Sequence, residues 1–282
     1  MKLLVLGAGG QVGRELARAA LPAGMRLVAF DRAALDVTDA DAVAAAVARE
    51  RPDVVINAAA YTAVDRAESE PAAAAAANAA APGHIAAACA AAGAALIHYS
   101  TDYVFDGTKP GAYVEDDPVN PLGVYGRTKA AGERAVRAAL ERHVILRTSW
   151  VYAAHGRNFV RTMLRLADER GEVRVVADQH GAPTAAADIA AATLRIAAQG
   201  GPWGTFHFAN AGETTWHGFA AAIFALAGKT PRLSAIATAE FPTAATRPAN
   251  SRLDCAKLAA AYGIVARPWQ EALAPVVAEL TA

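Results

Sequence analysis

Leu3-Leu4-Val5-Leu6-Gly7-Ala8-Gly9-Gly10-Gln11-Val12-Gly13 is the stretch on which the reading of the fold turns. Its first residues are continuously apolar, the pattern of a strand covered on both faces rather than one half open to water. They run without a break into a glycine turn, and a helical pattern begins at Gln11. Glycine here permits a tight strand-to-helix turn, lets backbone N–H groups approach a pyrophosphate, and lets the helix pack close to the strand. The N-terminus of that helix presents partial positive charge to the same phosphates. A glycine cluster alone marks many ordinary turns. This one lies between the first strand and the first helix, and Asp31 ends the next apolar run at the spacing of a ribose-binding carboxylate. The turn from Gly7 to Gly13 therefore predicts a dinucleotide site.

Outward from this turn, apolar runs alternate with helical stretches. Leu3–Leu6, Leu27–Phe30, Asp53–Asn57, Ala95–Ser100 and Val144–Arg147 predict buried parallel strands. Helices are expected near 11–21, 39–50, 72–92 and 123–141, the second opened by a capping box of Thr38 and Asp41. This repetition predicts an α/β fold, a Rossmann-type doubly wound parallel sheet. Past Trp150 the pattern loosens. A helix near 157–170, a strand at Val173–Val176, the polar turn from Asp178 to Thr184, a helix over 186–199 and a strand at Thr205–Phe208 follow in turn. Next come a helix near 217–227, a proline-punctuated stretch around 231–250 and a last helix after Trp269. The expected organisation is a nucleotide-binding domain of residues 1–155 with sheet elements near 173–210. A small C-terminal substrate-binding lobe, residues 156–172 and 211–282, interleaves with it.

The 282 residues suffice for one such sheet and a small lobe. Lysine plus arginine and aspartate plus glutamate each total 27, so the net charge is zero. That balance argues against a nucleic-acid partner held by overall charge and toward a small-molecule site. Cys89 and Cys255 form no C-x-x-C pair, so neither a disulfide framework nor a zinc site is expected, and Cys89 reads as core. The N-terminus has no signal-peptide apolar region, and the alanine-rich runs 72–77 and 86–95 are interrupted by charges, Asn78 and Gly93. These features predict a cytoplasmic protein with no membrane partner.

Tyr125 and Lys129 stand four apart in Tyr125-Gly126-Arg127-Thr128-Lys129, a helical spacing that puts both on one face. A free tyrosine titrates near ~10. An ammonium nearby stabilises the phenolate, lowers that value and suits the phenol to proton transfer. Reducing a carbonyl needs a proton on oxygen as hydride reaches carbon, so the pair supplies what a nicotinamide lacks. Ser100-Thr101-Asp102-Tyr103 lies at the C-terminal end of the fourth predicted strand, where open α/β sheets hold their ligands. Strand alternation sends Ser100 and Thr101 to opposite faces, so one hydroxyl faces the substrate, and periodicity does not choose which.

With these segments in order, the chain resembles the extended short-chain dehydrogenases that act on nucleotide sugars. The resemblance is carried by Asn57-Ala58-Ala59-Ala60-Tyr61-Thr62-Ala63-Val64-Asp65, Ser100-Thr101-Asp102-Tyr103-Val104-Phe105-Asp106-Gly107 and Tyr125-Gly126-Arg127-Thr128-Lys129. Arg147-Thr148-Ser149-Trp150-Val151-Tyr152, the turn from Asp178 to Thr184, and Arg247-Pro248-Ala249-Asn250-Ser251-Arg252-Leu253 extend it over essentially the whole chain. It implies NADPH- or NADH-dependent reduction of the C4 keto group of dTDP-4-dehydro-L-rhamnose to dTDP-L-rhamnose, a donor for cell-surface polysaccharides. Thr101 would stand near the keto group, Tyr125 would donate the proton, and Lys129 would hold the nicotinamide ribose and tune Tyr125. The implied cofactor contacts are Gly10, Gln11, Val12, Asp31, Asp36, Val37, Ala60, Tyr61, Thr62 and Tyr99. Asp102, Tyr103 and Trp150 would meet the sugar nucleotide.

Tyr61 stands where the family pattern has histidine. Some relatives are dimers bridged by magnesium through glutamates. Glu15 matches one such position, but Ala187 stands where another glutamate is expected, so the match to that metal is incomplete and the chain is read as a monomer or homodimer. Asp31, accepting from ribose hydroxyls, favours NADH, whereas Arg32 beside it suits the 2′-phosphate of NADPH. Two other functions share these motifs. A dehydratase of the same superfamily usually needs a carboxylic acid after the Thr-Asp pair, where this chain has Tyr103, while an epimerase is not separated from a reductase by residue types. A non-catalytic regulatory subunit on the same fold would not need Thr101, Tyr125 and Lys129 together.

Overall fold

The apolar runs become strands of one sheet: β1 (Lys2–Leu6), β2 (Arg26–Phe30), β3 (Val54–Asn57), β4 (Ala95–Thr101) and β5 (His143–Thr148), with Gly204–His207 as a sixth. The structure, a computed structural model, describes residues Met1–Ala282. Every pairing in this sheet is parallel, in the order β2, β1, β3, β4, β5, Gly204–His207. The winding therefore reverses between β1 and β3, and the carboxyl ends of these two strands open the crevice where such sheets hold ligands.

Alternation along each strand explains why the runs are continuously apolar. Leu3 and Val5 of β1 face one core, which takes in Leu16, Ile189, Leu194 and Ile196. Leu4 and Leu6 face a second, with Val43, Val47, Ile85 and Val136. The helix α1 (Gln11–Arg18) packs with Ala186–Gln199 on the first side, and α2 (Ala40–Glu50), Ala81–Ala92 and Val124–Ala139 cover the other. A sheet covered on both faces is the expected α/β arrangement. No helix is long and apolar enough to cross a membrane.

Several details depart from the sequence expectation. The cap of α2 is Asp39, whose side chain accepts from Ala42 N–H, and not Thr38. The Thr38 hydroxyl is already committed, donating to Asp36 at 2.8 Å. The helix expected over 72–92 is two α-helices, Pro71–Ala75 and Ala81–Ala92, joined through a π-helical turn at Ala76–Ala80. At that turn a Cβ on Gly132 would stand 2.1 Å from the Asn78 carbonyl oxygen, so the turn and the helix Val124–Ala139 approach at backbone distance only because residue 132 is glycine. The third correction concerns the strand at 173–176, which does not join the large sheet.

That strand, Glu172–Val176, pairs in parallel with Arg232–Ile236, a strand the sequence reading missed in its proline-punctuated stretch. Its Glu-Val-Arg-Val-Val pattern alternates, and Val173 and Val175 enter a third core with Val160, Met163, Phe219, Trp269 and Leu273. Alternation marks a strand covered on one face, so it belongs to the lobe. Conversely, the helix Ala256–Tyr262, within the span assigned to the lobe, sends Leu258 and Tyr262 into the first core of the large sheet.

Candidate active site

The glycines of the first turn divide by what the fold demands of them. Gly7 has φ +84°, and a Cβ there would stand 2.4 Å from the Ala59 amide nitrogen. At Gly13 a Cβ would meet the Gly7 carbonyl oxygen at 2.4 Å. Gly10 is different: its φ is −76°, and a Cβ would meet nothing closer than 3.4 Å. No side chain caps α1 at Gly10, so the first-turn N–H groups, those of Gln11 and Val12 among them, are open to an anion. The fold has no need of glycine at position 10, and its bareness keeps the approach to those donors clear.

Asp31 is exposed at the end of β2, where its Oδ1 accepts from Ala34 N–H at 2.9 Å. Arg32, its side chain 90% exposed, stands 3.7 Å from Asp36, and Val37 is buried behind them. Ala60 and Thr62 are exposed in the loop after β3. Between them Tyr61 is held at both backbone groups by Asn78, which accepts from its N–H at 2.8 Å and donates to its carbonyl at 3.0 Å. Asn78 also donates to the Thr128 hydroxyl, one residue before Lys129, at 3.3 Å. Sequence reasoning treated Asn78 only as an interruption of an alanine run, which was the one signal available.

The helix Val124–Ala139 carries Tyr125 and Lys129. Its N-terminus is capped from a distance by Glu68, which accepts from Val124 N–H at 2.7 Å. A Cβ at Gly126 would lie 2.1 Å from the Tyr103 carbonyl oxygen, so this glycine lets Tyr125 close on the end of β4. Lys129 is buried and donates to the Tyr99 carbonyl oxygen at 2.6 Å. The Tyr99 phenol itself turns the other way, onto Thr193 at 2.7 Å, so Tyr99 offers the site its backbone and not its ring.

Ser100 and Thr101 part as alternation requires, and their partners decide between them. Ser100 donates to buried Glu133 at 2.6 Å, and Glu133 in turn receives two bonds from Arg147 at 2.8 and 2.7 Å. Thr101 is left facing the site, close enough to the Tyr125 phenol to influence it. The Tyr103 ring meets Tyr125 edge-on, centroids 5.6 Å apart. Asp102 is buried beneath them and accepts from the Thr101 hydroxyl at 2.8 Å.

The electrostatics revise one expectation. Burial pushes the Tyr125 phenol up to about 12, with Thr101 opposing, and Lys129 does not lower it. Burial also brings the Lys129 ammonium down to about 8, Glu133 pulling the other way. The phenol is thus kept protonated at neutral pH, which is the form that gives a proton away.

Across the crevice, Trp150 adopts φ +47°, a rare and strained conformation for a bulky residue. Its indole stacks on Trp216 at 3.7 Å with planes 9° apart, and its N–H donates to Ser251 at 3.1 Å. Trp216, Arg174, Gln179 and Arg247 line a cavity of about 790 Å³ in the lobe. Arg247 grips Asp65, after β3, through two bonds at 2.7 and 3.1 Å, and so ties the lobe to the cofactor side. The sequence alone gives Arg247 no role, because its partner lies far away in the chain. Glu15 is engaged by His155 at 2.5 Å, and no group of three or more His, Cys, Asp or Glu gathers that would hold a metal ion.

Comparison with known proteins matches residues 1–282 to the family described as the RmlD substrate binding domain. A dTDP-4-dehydrorhamnose reductase of Escherichia coli K12 is 45% identical over 99% of this chain and 98% of its own. The crystal structure of a dTDP-4-dehydrorhamnose reductase from Clostridium acetobutylicum superposes with a TM-score of 0.97 at 39% identity, covering all of both chains. One from Bacillus anthracis, in complex with NADP, has a TM-score of 0.95 at 38% identity over 99% of each chain.

Proposed function

The chain belongs to the RmlD substrate binding domain family, and on that premise we propose that it reduces the C4 keto group of dTDP-4-dehydro-L-rhamnose to dTDP-L-rhamnose with NADPH or NADH. The observation that carries this reading is the meeting of Tyr125 with Thr101 at the end of β4, with Lys129 fixed behind them on the Tyr99 carbonyl.

The residues at the crevice fit a nicotinamide dinucleotide. Gly10, Gln11 and Val12 offer backbone donors to its pyrophosphate, and Gly7 and Gly13 shape the turn that presents them. Asp31, Arg32, Asp36 and Val37 would hold its adenosine ribose, with the loop Ala60-Tyr61-Thr62 after β3 beside them. When bound, the dinucleotide supplies the hydride. Tyr125 delivers a proton to the C4 oxygen, Thr101 holds that oxygen, and Lys129 orients the ribose and restrains Tyr125. Tyr103 and Trp150 contact the sugar nucleotide, whose nucleoside diphosphate end suits the cavity of Arg174, Trp216 and Arg247: guanidinium groups pair with phosphates and an indole faces a base. Asp102 lies beneath this surface. Two unpaired cysteines and a nicotinamide reductant both suit the cytoplasm.

The purified protein should oxidise NADPH or NADH, followed by its absorbance, only when dTDP-4-dehydro-L-rhamnose is added. No oxidation of either cofactor with that substrate would end this reading.

A further inference from the structure

The scheme above leaves Asp102 without a task. Its side chain is 2% exposed, and its Oδ2 has no hydrogen-bond partner. Burial with one oxygen unpaired carries a desolvation cost for the ionised carboxylate. Its Oδ1 takes the Thr101 hydroxyl proton at 2.8 Å.

A threonine hydroxyl has one proton to give and two lone pairs. A carboxylate only accepts, so while Asp102 is ionised the Thr101 proton is committed to it. Thr101 then accepts from Tyr103 N–H at 3.2 Å and meets Tyr125, but has nothing to donate to a ketone, which is itself only an acceptor. When Asp102 carries a proton, the same contact runs the other way. The acid donates to Thr101, and the Thr101 proton turns into the site. We propose that Asp102 is a positioning residue whose protonation state sets the direction of the Thr101–Asp102 hydrogen bond, and thereby whether Thr101 donates to the substrate's keto oxygen. The inference rests on the reductase reading.

The groups facing Asp102 make such a switch workable. Tyr103 flanks it on its own segment, with the Asp65–Arg247 pair beyond that ring, and Tyr125 faces it from the catalytic helix. Ser251 approaches from the lobe and, with the backbone N–H groups of Asp102 and Tyr103, favours the ionised carboxylate; its hydroxyl also lies 3.3 Å from the His180 carbonyl oxygen. Burial pushes the Asp102 carboxyl up to about 6, with its bond from Thr101 the main opposing influence. Protonation is thus within reach near neutral pH, and a ketone that displaces further water favours it more.

The test compares wild type with Asp102→Asn, whose side chain does not titrate, across about pH 5 to 9. Wild-type kcat should fall about a hundredfold or more, the scale of a lost donor to a developing oxyanion, as pH rises through the titration of Asp102. Asp102→Asn should lack that step. If this variant fails to fold, Thr101→Val should lack the step as well, since it has no hydroxyl to reorient. The same step in the variants, or none in wild type, would overturn the proposal. Infrared spectra of the ligand-free protein labelled with ¹³C-aspartate give a readout without substrate. A carboxylic-acid band should appear in wild type as pH falls through about 6 and be missing from Asp102→Asn. Its absence in wild type refutes the switch, whereas its presence in a protein that never turns over dTDP-4-dehydro-L-rhamnose refutes only the reductase reading.

Discussion

Replacing each glycine of the first turn by alanine should separate what the fold requires from what the cofactor requires. At Gly10 the backbone is extended, φ −76° and ψ 173°, which alanine adopts freely, and the new Cβ would make only an ordinary contact with Gly7 O at 3.4 Å. Alanine is a poorer helix cap than glycine by about 0.5 kcal/mol. Restricting the unfolded chain returns about 0.4–1 kcal/mol. The two nearly cancel, so the stability of Gly10→Ala should stay close to wild type. Gly7→Ala forces a left-handed residue, costing about 1–2 kcal/mol. It also drives a Cβ to 2.4 Å from the Ala59 backbone, and overpacking of that kind adds about 1–3 kcal/mol. A loss of about 2–5 kcal/mol is therefore expected. Cofactor affinity should show the opposite contrast. The Gly10→Ala methyl stands over the first-turn donors of α1, and one lost charge-assisted bond to phosphate costs about 1.5–3 kcal/mol. That is about ten- to a hundredfold in Kd. Urea unfolding and NADPH titration by tryptophan fluorescence measure the two quantities on the same samples. A Gly10→Ala protein that binds NADPH and NADH as tightly as wild type, or that loses as much stability as Gly7→Ala, would refute the reasoning.

Tyr125→Phe keeps the edge-on ring contact with Tyr103 and should retain cofactor affinity, while kcat drops by about two orders of magnitude or more; near-normal turnover would exclude Tyr125 as the acid. Arg32→Ala should lower kcat/KM for NADPH about tenfold, an exposed charge-assisted pair, and leave NADH unchanged, while Asp31→Ala does the reverse, all at one ionic strength. Equal losses for both cofactors would make Arg32 a solvated charge paired with Asp36. Glu133 is buried, which alone would raise its pKa, but Arg147, Ser100 and Arg137 hold it down at about 2, below its ordinary 4.5. A value depressed by folding contributes stability above pH 4.5 that is lost as pH falls toward 2. Glu133→Gln should therefore cost about 3–5 kcal/mol in urea unfolding at neutral pH, by stranding Arg147, and should flatten the acid limb; an unchanged acid limb would show that other carboxylates set it.

Short-range pattern is legible in the bare chain. Continuous apolar runs such as Leu3–Leu6 mark strands buried on both faces, because successive side chains of one strand enter different cores. Glycines between strand and helix mark the turn, and a Tyr-x-x-x-Lys spacing marks one helix face; none of these needs a distant partner to be read. The tertiary structure decided everything that depends on who the partner is. Ser100 and Thr101 are equivalent in pattern, and Glu133, on another helix and tied to Arg147, removes Ser100 from the site. Glu172–Val176 is a strand by its residues, but only pairing with Arg232–Ile236, sixty positions away, places it in the lobe. Residue type suggested that Lys129 would lower the Tyr125 pKa, yet burial prevails and raises it to about 12. Among Gly7, Gly10 and Gly13, only the approach of Ala59 and of the turn's own backbone shows which the fold needs. The physical reason is common to all four. Periodicity and turn chemistry act over a few residues and survive in the bare chain, whereas burial, charge compensation and close packing are set by groups that meet only after the chain has folded.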